Sequence, residues 1–524
     1  MALISTASAA SPVRLAIERA LPPIQRSTAT FVEKRACFSC HHNALAILTL
    51  HAARDRGIKI DEAVRRTVEE KTIRSGGSFE DVWQARTVND PTPNDSLLLM
   101  AQAASGSPVT EATRVRVARM ASWQRDDGHW ITSDFRPPHS SSVFTTTATA
   151  ISALQSFLPD PGRISKAREW LAANKPASTE DASFRVMGLV WAKASASEIG
   201  AATHDLLAMQ RRDGGWGQNE RYVSDAYSTG EAVFALKEAA VASPKGIQWL
   251  LTTQAADGTW HVRSRMLSPA DVSPPYFDVA FPYKPYPKKD QFLSFAGSCW
   301  ATMALLSTLP AKVEVREIPV ESRSTDPSGL PPYTQLTVAA SYYGNSAEVA
   351  RLLDMGAPAN PPRGTRSRLT PLKLASMSGD LTTVRLLLTH GADPNADAPL
   401  AEAVTFGHAD VAQALLDAGA SADGVESTGV NLLHWAAITN RASLIPILVK
   451  AGVPLNAVDG YGFTPLMYAA TIDQGDTKTL DALLAAGADT KIRDFHERTP
   501  LMQARRLGHM HIVRMLQGSP KPAR

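Results

Sequence analysis

One pattern, Gln-x-x-Asp-Gly-x-Trp, occurs three times in the first half of the chain. Its copies are Gln124, Asp127, Gly128, Trp130; Gln210, Asp213, Gly214, Trp216; and Gln254, Asp257, Gly258, Trp260. The last two start 44 residues apart and the first two 86 apart, about twice that. A degenerate unit around Trp170 to Asn174 would fill the gap. A repeat of this length constrains the architecture strongly, because each unit buries its apolar face only against its neighbours. Asp-Gly suits a corner with positive φ at the end of a helix, and the Trp is set to pack back on the helix wall. Ala- and Leu-rich helices are predicted between the copies, at Phe144 to Phe157, Ser183 to Ala194, Ser228 to Ala240 and Ser298 to Leu309. A helix pair per repeat follows.

The motifs resemble the QW motifs of squalene-hopene cyclases and related triterpene cyclases, within the α/α-toroid group that includes protein prenyltransferase β subunits. The resemblance covers residues 12–310. It implies inner and outer helices closed into a ring around a cavity. The Gln and Trp residues themselves read as architectural clamps, since fold is not function.

The stretch 311–332, with Ile318-Pro319, Asp326-Pro327-Ser328-Gly329 and Pro331-Pro332, reads as a linker. A second period, near 33 residues, follows it. Thr370-Pro371-Leu372, Thr464-Pro465-Leu466 and Thr499-Pro500-Leu501 open helix pairs. Gly391-Ala392-Asp393, Gly419-Ala420 and Gly487-Ala488-Asp489 close them. Thr-Pro fits a turn into a first helix, and the Gly supplies the positive-φ stop after a second. This resembles the ankyrin signature over 333–518, about six repeats, with 519–524 as a tail. The fold class expected is therefore all-α: an N-terminal α/α toroid and a C-terminal ankyrin-repeat solenoid, whose groove implies a protein partner.

Composition is ordinary for a globular chain, with 44% hydrophobic and 20% charged residues. A formal charge of +3 over 524 residues does not point to nucleic acid or an anionic membrane. No apolar run approaches the ~20 residues of a spanning helix. Met1 to Ala9 contains Ala7-Ser8-Ala9, a small-residue cleavage signature, without an h-region of sufficient length or a basic n-region. Residues 1–11 therefore read either as the tail of a signal peptide, which would make the protein exported or periplasmic, or as a frayed terminus of a cytoplasmic one.

Cys37-Phe38-Ser39-Cys40-His41-His42 contains two of the three cysteines and has a definite chemical meaning. Cys-x-x-Cys-His reads as c-type haem attachment: two thiols spaced by two residues reach two vinyl groups, and the following His, here His41, lies under the iron. Zinc held by Cys37, Cys40 and His41 or His42 is an alternative, although only distant Cys299 offers a further thiol. A redox pair lacks its βαβ context. Packing alone is the remaining reading. His139 is the first choice for a second axial ligand, and Met100 or Met120 the alternative.

The apolar segment after His42 reads as the first inner helix, placing the motif at one mouth of the toroid. His42, Asp95, Thr145, Asp225 and Tyr227 fall at a similar register and are expected around that mouth. Residues 261–297 form a long connection containing Arg263 and Arg265, set to hold a haem propionate or another carboxylate bidentately, or else to lie solvated on the surface. The order of features resembles bacterial squalene-cyclase-like and prenyltransferase-repeat proteins with an N-terminal Cys-x-x-Cys-His-His, some bearing ankyrin repeats. The matching stretches are Cys37 to His42, Ser224 to Tyr227, and Trp260 to Arg265 with Tyr276-Phe277-Asp278.

Three functions follow as expectations. The first is an exported haem protein for electron transfer, sensing or oxidation, docked through its ankyrin array. The second is a terpene cyclase, prenyl-lipid enzyme or apolar-ligand binder using the toroid cavity. The Asp-x-Asp-Asp general-acid motif of the cyclases is not found, which weighs against conventional cyclase chemistry. The third is a non-catalytic interaction scaffold.

Overall fold

The three Gln/Trp copies fold as one repeated clip. The indole Nε1 of Trp130, Trp216 and Trp260 donates to the carbonyl ten residues earlier, Met120, Leu206 and Leu250, at 2.7, 2.8 and 3.0 Å. The backbone N–H of each Trp donates to a hydroxyl of the next helix: Thr147, Thr229 and Ser298. All three rings are buried. Gly128, Gly214 and Gly258 take φ of 105°, 90° and 88°. A Cβ on Gly258 would lie 2.1 Å from the Arg19 carbonyl oxygen, so only glycine fits there. The third clip thus reaches back to the first helix. Gln254 Nε2 donates to the Ala16 carbonyl at 2.8 Å, and Arg19 donates to Gln254 Oε1 at 2.6 Å.

This computed structural model describes residues 11–34, 40–75, 77–86, 91–134, 137–138, 141–265, 288–311, 326–362, 369–423 and 428–518. The helices of the N-terminal unit are α1 (Pro12–Lys34), α2 (Cys40–Arg54), α3 (Glu62–Ser75), α4 (Phe79–Trp83), α5 (Ser96–Ser105), α6 (Glu111–Ser122), α7 (Val143–Phe157), α8 (Pro161–Ala173), α9 (Thr179–Trp191), α10 (Ala196–Ala208), α11 (Ala226–Glu238), α12 (Pro244–Thr253) and α13 (Lys288–Ser307). Among them α2, α5, α7, α9, α11 and α13 pack each on the next, and α13 packs on α2, so the series of contacts closes. These helices and the rest form two layers by burial. Helix α11 is buried along most of its length, whereas α12, packed on it, buries only Gly246 and Leu250. Trp170 lies inside α8, so the degenerate unit is a helix end and not a fourth Gln/Trp clip.

The expected helices exist with shifted ends. Ser178 forms a capping box with Asp181, and α9 begins four residues before the expected Ser183. Lys193 and Ala240 adopt φ of 54° and 58°, which stops α9 and α11 short of the predicted ends. Helix α13 starts at Lys288, well before Ser298, because Phe292, Leu293 and Phe295 continue the apolar surface with no breaker.

The C-terminal unit consists of helix pairs α14 (Pro332–Ala340) with α15 (Ser346–Asp354), α16 (Pro371–Ser378) with α17 (Leu381–Thr389), α18 (Pro399–Phe406) with α19 (Ala409–Asp417), α20 (Leu432–Ile438) with α21 (Ile445–Lys450), α22 (Pro465–Thr471) with α23 (Lys478–Ala485), and α24 (Pro500–Leu507) with α25 (Met510–Gly518). Thr370, Thr464 and Thr499 cap their helices through the backbone N–H three residues on, each with Pro at the first helical position. Gly391, Gly419 and Gly487 take positive φ after the second helices. No described helix is long and apolar enough to cross a membrane.

Candidate functional site

Helix α2 begins at Cys40, so Cys40, His41 and His42 occupy its first turn. Cys37 and His139 lie outside the described residues, as do Tyr276, Phe277 and Asp278. The neighbourhood of the first turns of α2 is described further along. Thr28 Oγ1 donates to Asn43 Oδ1 at 3.2 Å, tying α2 to α1. Met100 packs, half-buried, against the small apolar cluster of Val32, Ala44, Ile47, Val68, Leu97 and Ala101. Met120 is fully buried in the main core, where it fills space and is not free to ligate. Cys299 is buried too, and burial pushes its thiol up, away from the thiolate a metal needs. It contacts Thr49, nine residues beyond Cys40. At 1.5 Å per residue that is about 13 Å along α2, too far for Cys299 to complete a zinc site with Cys40.

Of Thr145, Asp225 and Tyr227, two meet on one buried carboxyl that the sequence pattern does not single out. Glu180, in the first turn of α9, accepts from Thr145 Oγ1 at 2.6 Å and from Tyr227 OH at 2.9 Å. Glu231 on α11 adjoins both Glu180 and Tyr227. All four side chains are buried. Burial pushes the Glu180 carboxyl up to about 7, and the hydrogen bonds from Thr145 and Tyr227 only partly oppose it. Burial and the neighbouring Glu180 carboxyl raise Glu231 well above its ordinary value. The result is a carboxylic acid pair beside a phenol, able to hold and pass a proton within the ring of helices. The signal available in the sequence was the spacing of Tyr227 and Glu231, four residues apart on one face of a helix otherwise made of small and apolar residues. Asp225 caps α11, accepting from Ser228 N at 2.9 Å, and burial raises its carboxyl to about 6. Asp95 stands apart from this group. It pairs with Arg116 of α6 at 3.0 Å.

The turns that lead into α7, α11 and α13 form a seam with the second unit. Arg125 Nη1 donates to the Ser378 carbonyl at 2.9 Å, and Arg263 Nη2 to the Leu507 carbonyl at 2.6 Å. Trp123 Nε1 donates to the Ser341 carbonyl at 3.0 Å, and Arg441 reaches back to the Thr132 carbonyl. Arg265 donates to the Asp473 carbonyl at 3.2 Å, while the Asp473 N–H donates to the Arg265 carbonyl at 3.1 Å. Tyr222 OH donates to Asp473 Oδ2 at 3.1 Å. Arg119 and Arg125 lie over the rings of Tyr342 and Tyr343, 5.5 and 5.1 Å from their centroids. The chemistry repeats along the seam. Arg125 and Arg263 of the first unit meet the C-terminal ends of first helices of the second, where unpaired carbonyls and the negative end of the helix dipole favour a cation, while Arg441 runs the other way. Leu374, Met377 and Phe406 of the second unit also join the apolar core of the first.

Arg263 and Arg265 are therefore seam residues. Burial works against ionisation of Asp473, yet Arg265, His511 and His509 hold its carboxyl below the usual range. Cavities lie along the seam. One of about 590 Å³ lies between Trp83 and Glu111 of the first unit and Val338 and Tyr342 of the second. Another, of about 440 Å³, touches Arg221, Arg263, Asp473 and Arg514. A third, of about 230 Å³, touches Glu180, Arg265 and Arg441.

The family model for ankyrin repeats matches residues 336–426 and 400–494, in three copies. A stretch of 162 residues is 32% identical to ankyrin repeat and KH domain-containing protein mask-1 of Caenorhabditis elegans, covering 30% of this chain and 6% of that protein. Ankyrin repeat protein nuc-2 of Neurospora crassa is 30% identical over 175 residues, 33% of this chain and 13% of that one. Palmitoyltransferase Hip14 of Drosophila melanogaster is 36% identical over 96 residues, 18% of this chain and 15% of that one. The chain thus spans a small fraction of the length of these relatives. It carries ankyrin repeats, an interaction domain.

Proposed function

We propose that this chain is a protein-interaction scaffold in which an ankyrin array is clamped across one mouth of an α/α toroid. The observation that carries the reading is the seam. The ends of α14, α16, α22 and α24, or the turns after them, bond to the N-terminal unit, and Arg125, Arg263 and Arg265 among their partners lie in the connections that precede α7 and α13. The closed series of contacts from α2 to α13, and the third clip on Ala16 and Arg19, support a toroid of the triterpene-cyclase and prenyltransferase kind. The array leaves large apolar side chains exposed, among them Phe495 at 70% and Val458 at 46%, which an outside protein could cover. Capture of an interacting protein by the full chain, compared with Phe495→Asp, tests this. Loss of that protein from the variant supports the reading, and equal recovery contradicts it.

The Cys37–His41 motif favours a second reading that is compatible with the first: c-type haem that Cys37 and Cys40 would attach and His41 would ligate, with His139 as the first choice, or Met100, for a further ligand. A helix beginning at Cys40 supports it, as does the packing of Met100 against Ala44 and Ile47 of that helix. When bound, the haem would supply one-electron chemistry or ligand sensing. The protein would then be exported, since attachment takes place outside the cytoplasm. Covalent haem absorbance and a mass increase of one haem are expected in protein made with a cytochrome c maturation system, and both are expected to vanish in Cys37→Ala/Cys40→Ala. An unmodified mass in such protein contradicts this reading.

A further inference from the structure

A seam cavity of about 440 Å³ falls within the range of small-molecule sites and is walled by both units. Arg221 and Arg263 enter it from the N-terminal unit, and Arg514 and His511 from α25. Their charge is not balanced locally. Asp473 is the ionised carboxylate in the wall, and its oxygens are already engaged by Tyr222 OH at 3.1 Å and the Gly475 N–H at 2.9 Å, with Arg221 at 3.6 Å. Asp225, the other carboxyl among the described lining residues, is engaged at the start of α11, where it accepts from Ser228 N at 2.9 Å. Among the described residues, Arg263 and Arg221 meet backbone carbonyls at hydrogen-bond distance, those of Leu507 and Gly475. Three guanidinium groups around one concavity repel one another unless an anion joins them.

A second observation points the same way. Gln218 is buried, 1% exposed, and it lines this cavity. Its Nε2 is fixed to the Arg263 carbonyl at 2.9 Å, while its Oε1 has no hydrogen-bond partner among the described residues. A buried acceptor left open costs free energy that a ligand hydroxyl would recover. His511 Nε2 is likewise without a hydrogen-bond partner, 3.6 Å from Asp473.

We propose that this cavity binds a small hydroxylated anion, its phosphate or carboxylate seated among Arg221, Arg263 and Arg514 and a hydroxyl donating to Gln218 Oε1. Because the walls come from both units, the ligand would fasten the array to the helical unit. Guanidinium forks suit either oxyanion, and the two are separable by experiment. Titration calorimetry on the full chain with sn-glycerol 3-phosphate, citrate and glycerol is the test. Saturable binding of the phosphate, the carboxylate or both, with none of glycerol, is expected and identifies the source of the anion. Binding should weaken about tenfold or more in Arg514→Gln. Arg514 is exposed, so this variant retains the fold, and Arg263→Gln provides a second check. No saturable binding of either anion, equal binding of glycerol, or unchanged affinity in Arg514→Gln would overturn the proposal.

Discussion

The two units are both stacks of helix pairs, yet they are held together in opposite ways. Within the array each pair packs on the next, and its signals are local: a Thr cap, a Pro, a Gly stop. In the N-terminal unit the same number of buried layers returns on itself, and the last clip bonds to the first helix across 238 residues of sequence. Local stacks are expected to fray and unfold by repeat, whereas a closed set of contacts is lost or kept together. The difference also explains why the seam lies where it does. The closed unit presents a face of helix-entry turns rich in arginine, and the open stack presents a row of helix C-termini at matching intervals.

The comparison can be broken most severely at a clip. Trp216→Ala removes a fully buried ring and the donor to Leu206 O, and a loss of about 3–5 kcal/mol is expected in urea denaturation. Hydrogen exchange should speed up around the whole series from α1 to α13. Faster exchange confined to α10 and α11 would show that the ring is not cooperative. Gly258→Ala attacks closure itself, since the new Cβ meets the Arg19 carbonyl at positive φ. A loss of about 2 kcal/mol or more is expected, with α1 exchanging fastest.

A subtler contrast is pH dependence. Glu180 titrates at about 7 in the folded chain against an ordinary value of 4.5, so the folded state holds its proton more tightly than the unfolded state does. Its effect is therefore to lower stability as pH rises from about 4.5 through about 7. Glu180→Gln should remove much of that slope and stabilise the unit above pH 7 by about 1–2 kcal/mol, read from denaturation midpoints across pH. A slope unchanged by the substitution would remove Glu180 as its source. In the array, by contrast, Thr499→Ala should cost about 1 kcal/mol, confined to exchange in α24 and α25. Spread of the effect to α16 would contradict a locally held stack.

Legibility in the sequence followed the same divide. The clips and the array signals were readable because Gly, Trp, Thr-Pro and Asp-Gly each answer a local backbone requirement. Helix ends were less so: Lys193 and Ala240 stop helices in a conformation that neither residue type advertises. Thr145 and Tyr227 are legible by register, while Glu180, which accepts from both, is hidden because it stands beside the capping residue Asp181 and looks like first-turn charge. The seam was invisible. Arg125 with Ser378, and Arg441 with Thr132, join residues hundreds of positions apart with no periodic signal.

The central claim is that the array is seated on the helical unit within one chain. The Asp473 amide tests it most directly, because its hydrogen bond is to Arg265 of the other unit at 3.1 Å. Residue-resolved hydrogen exchange on the full chain should find this amide strongly protected, and protection should fall in Tyr222→Phe/Arg221→Ala, which loosens the grip on Asp473. Exchange of Asp473 at the rate of an unprotected loop amide in the unmodified chain would contradict the account.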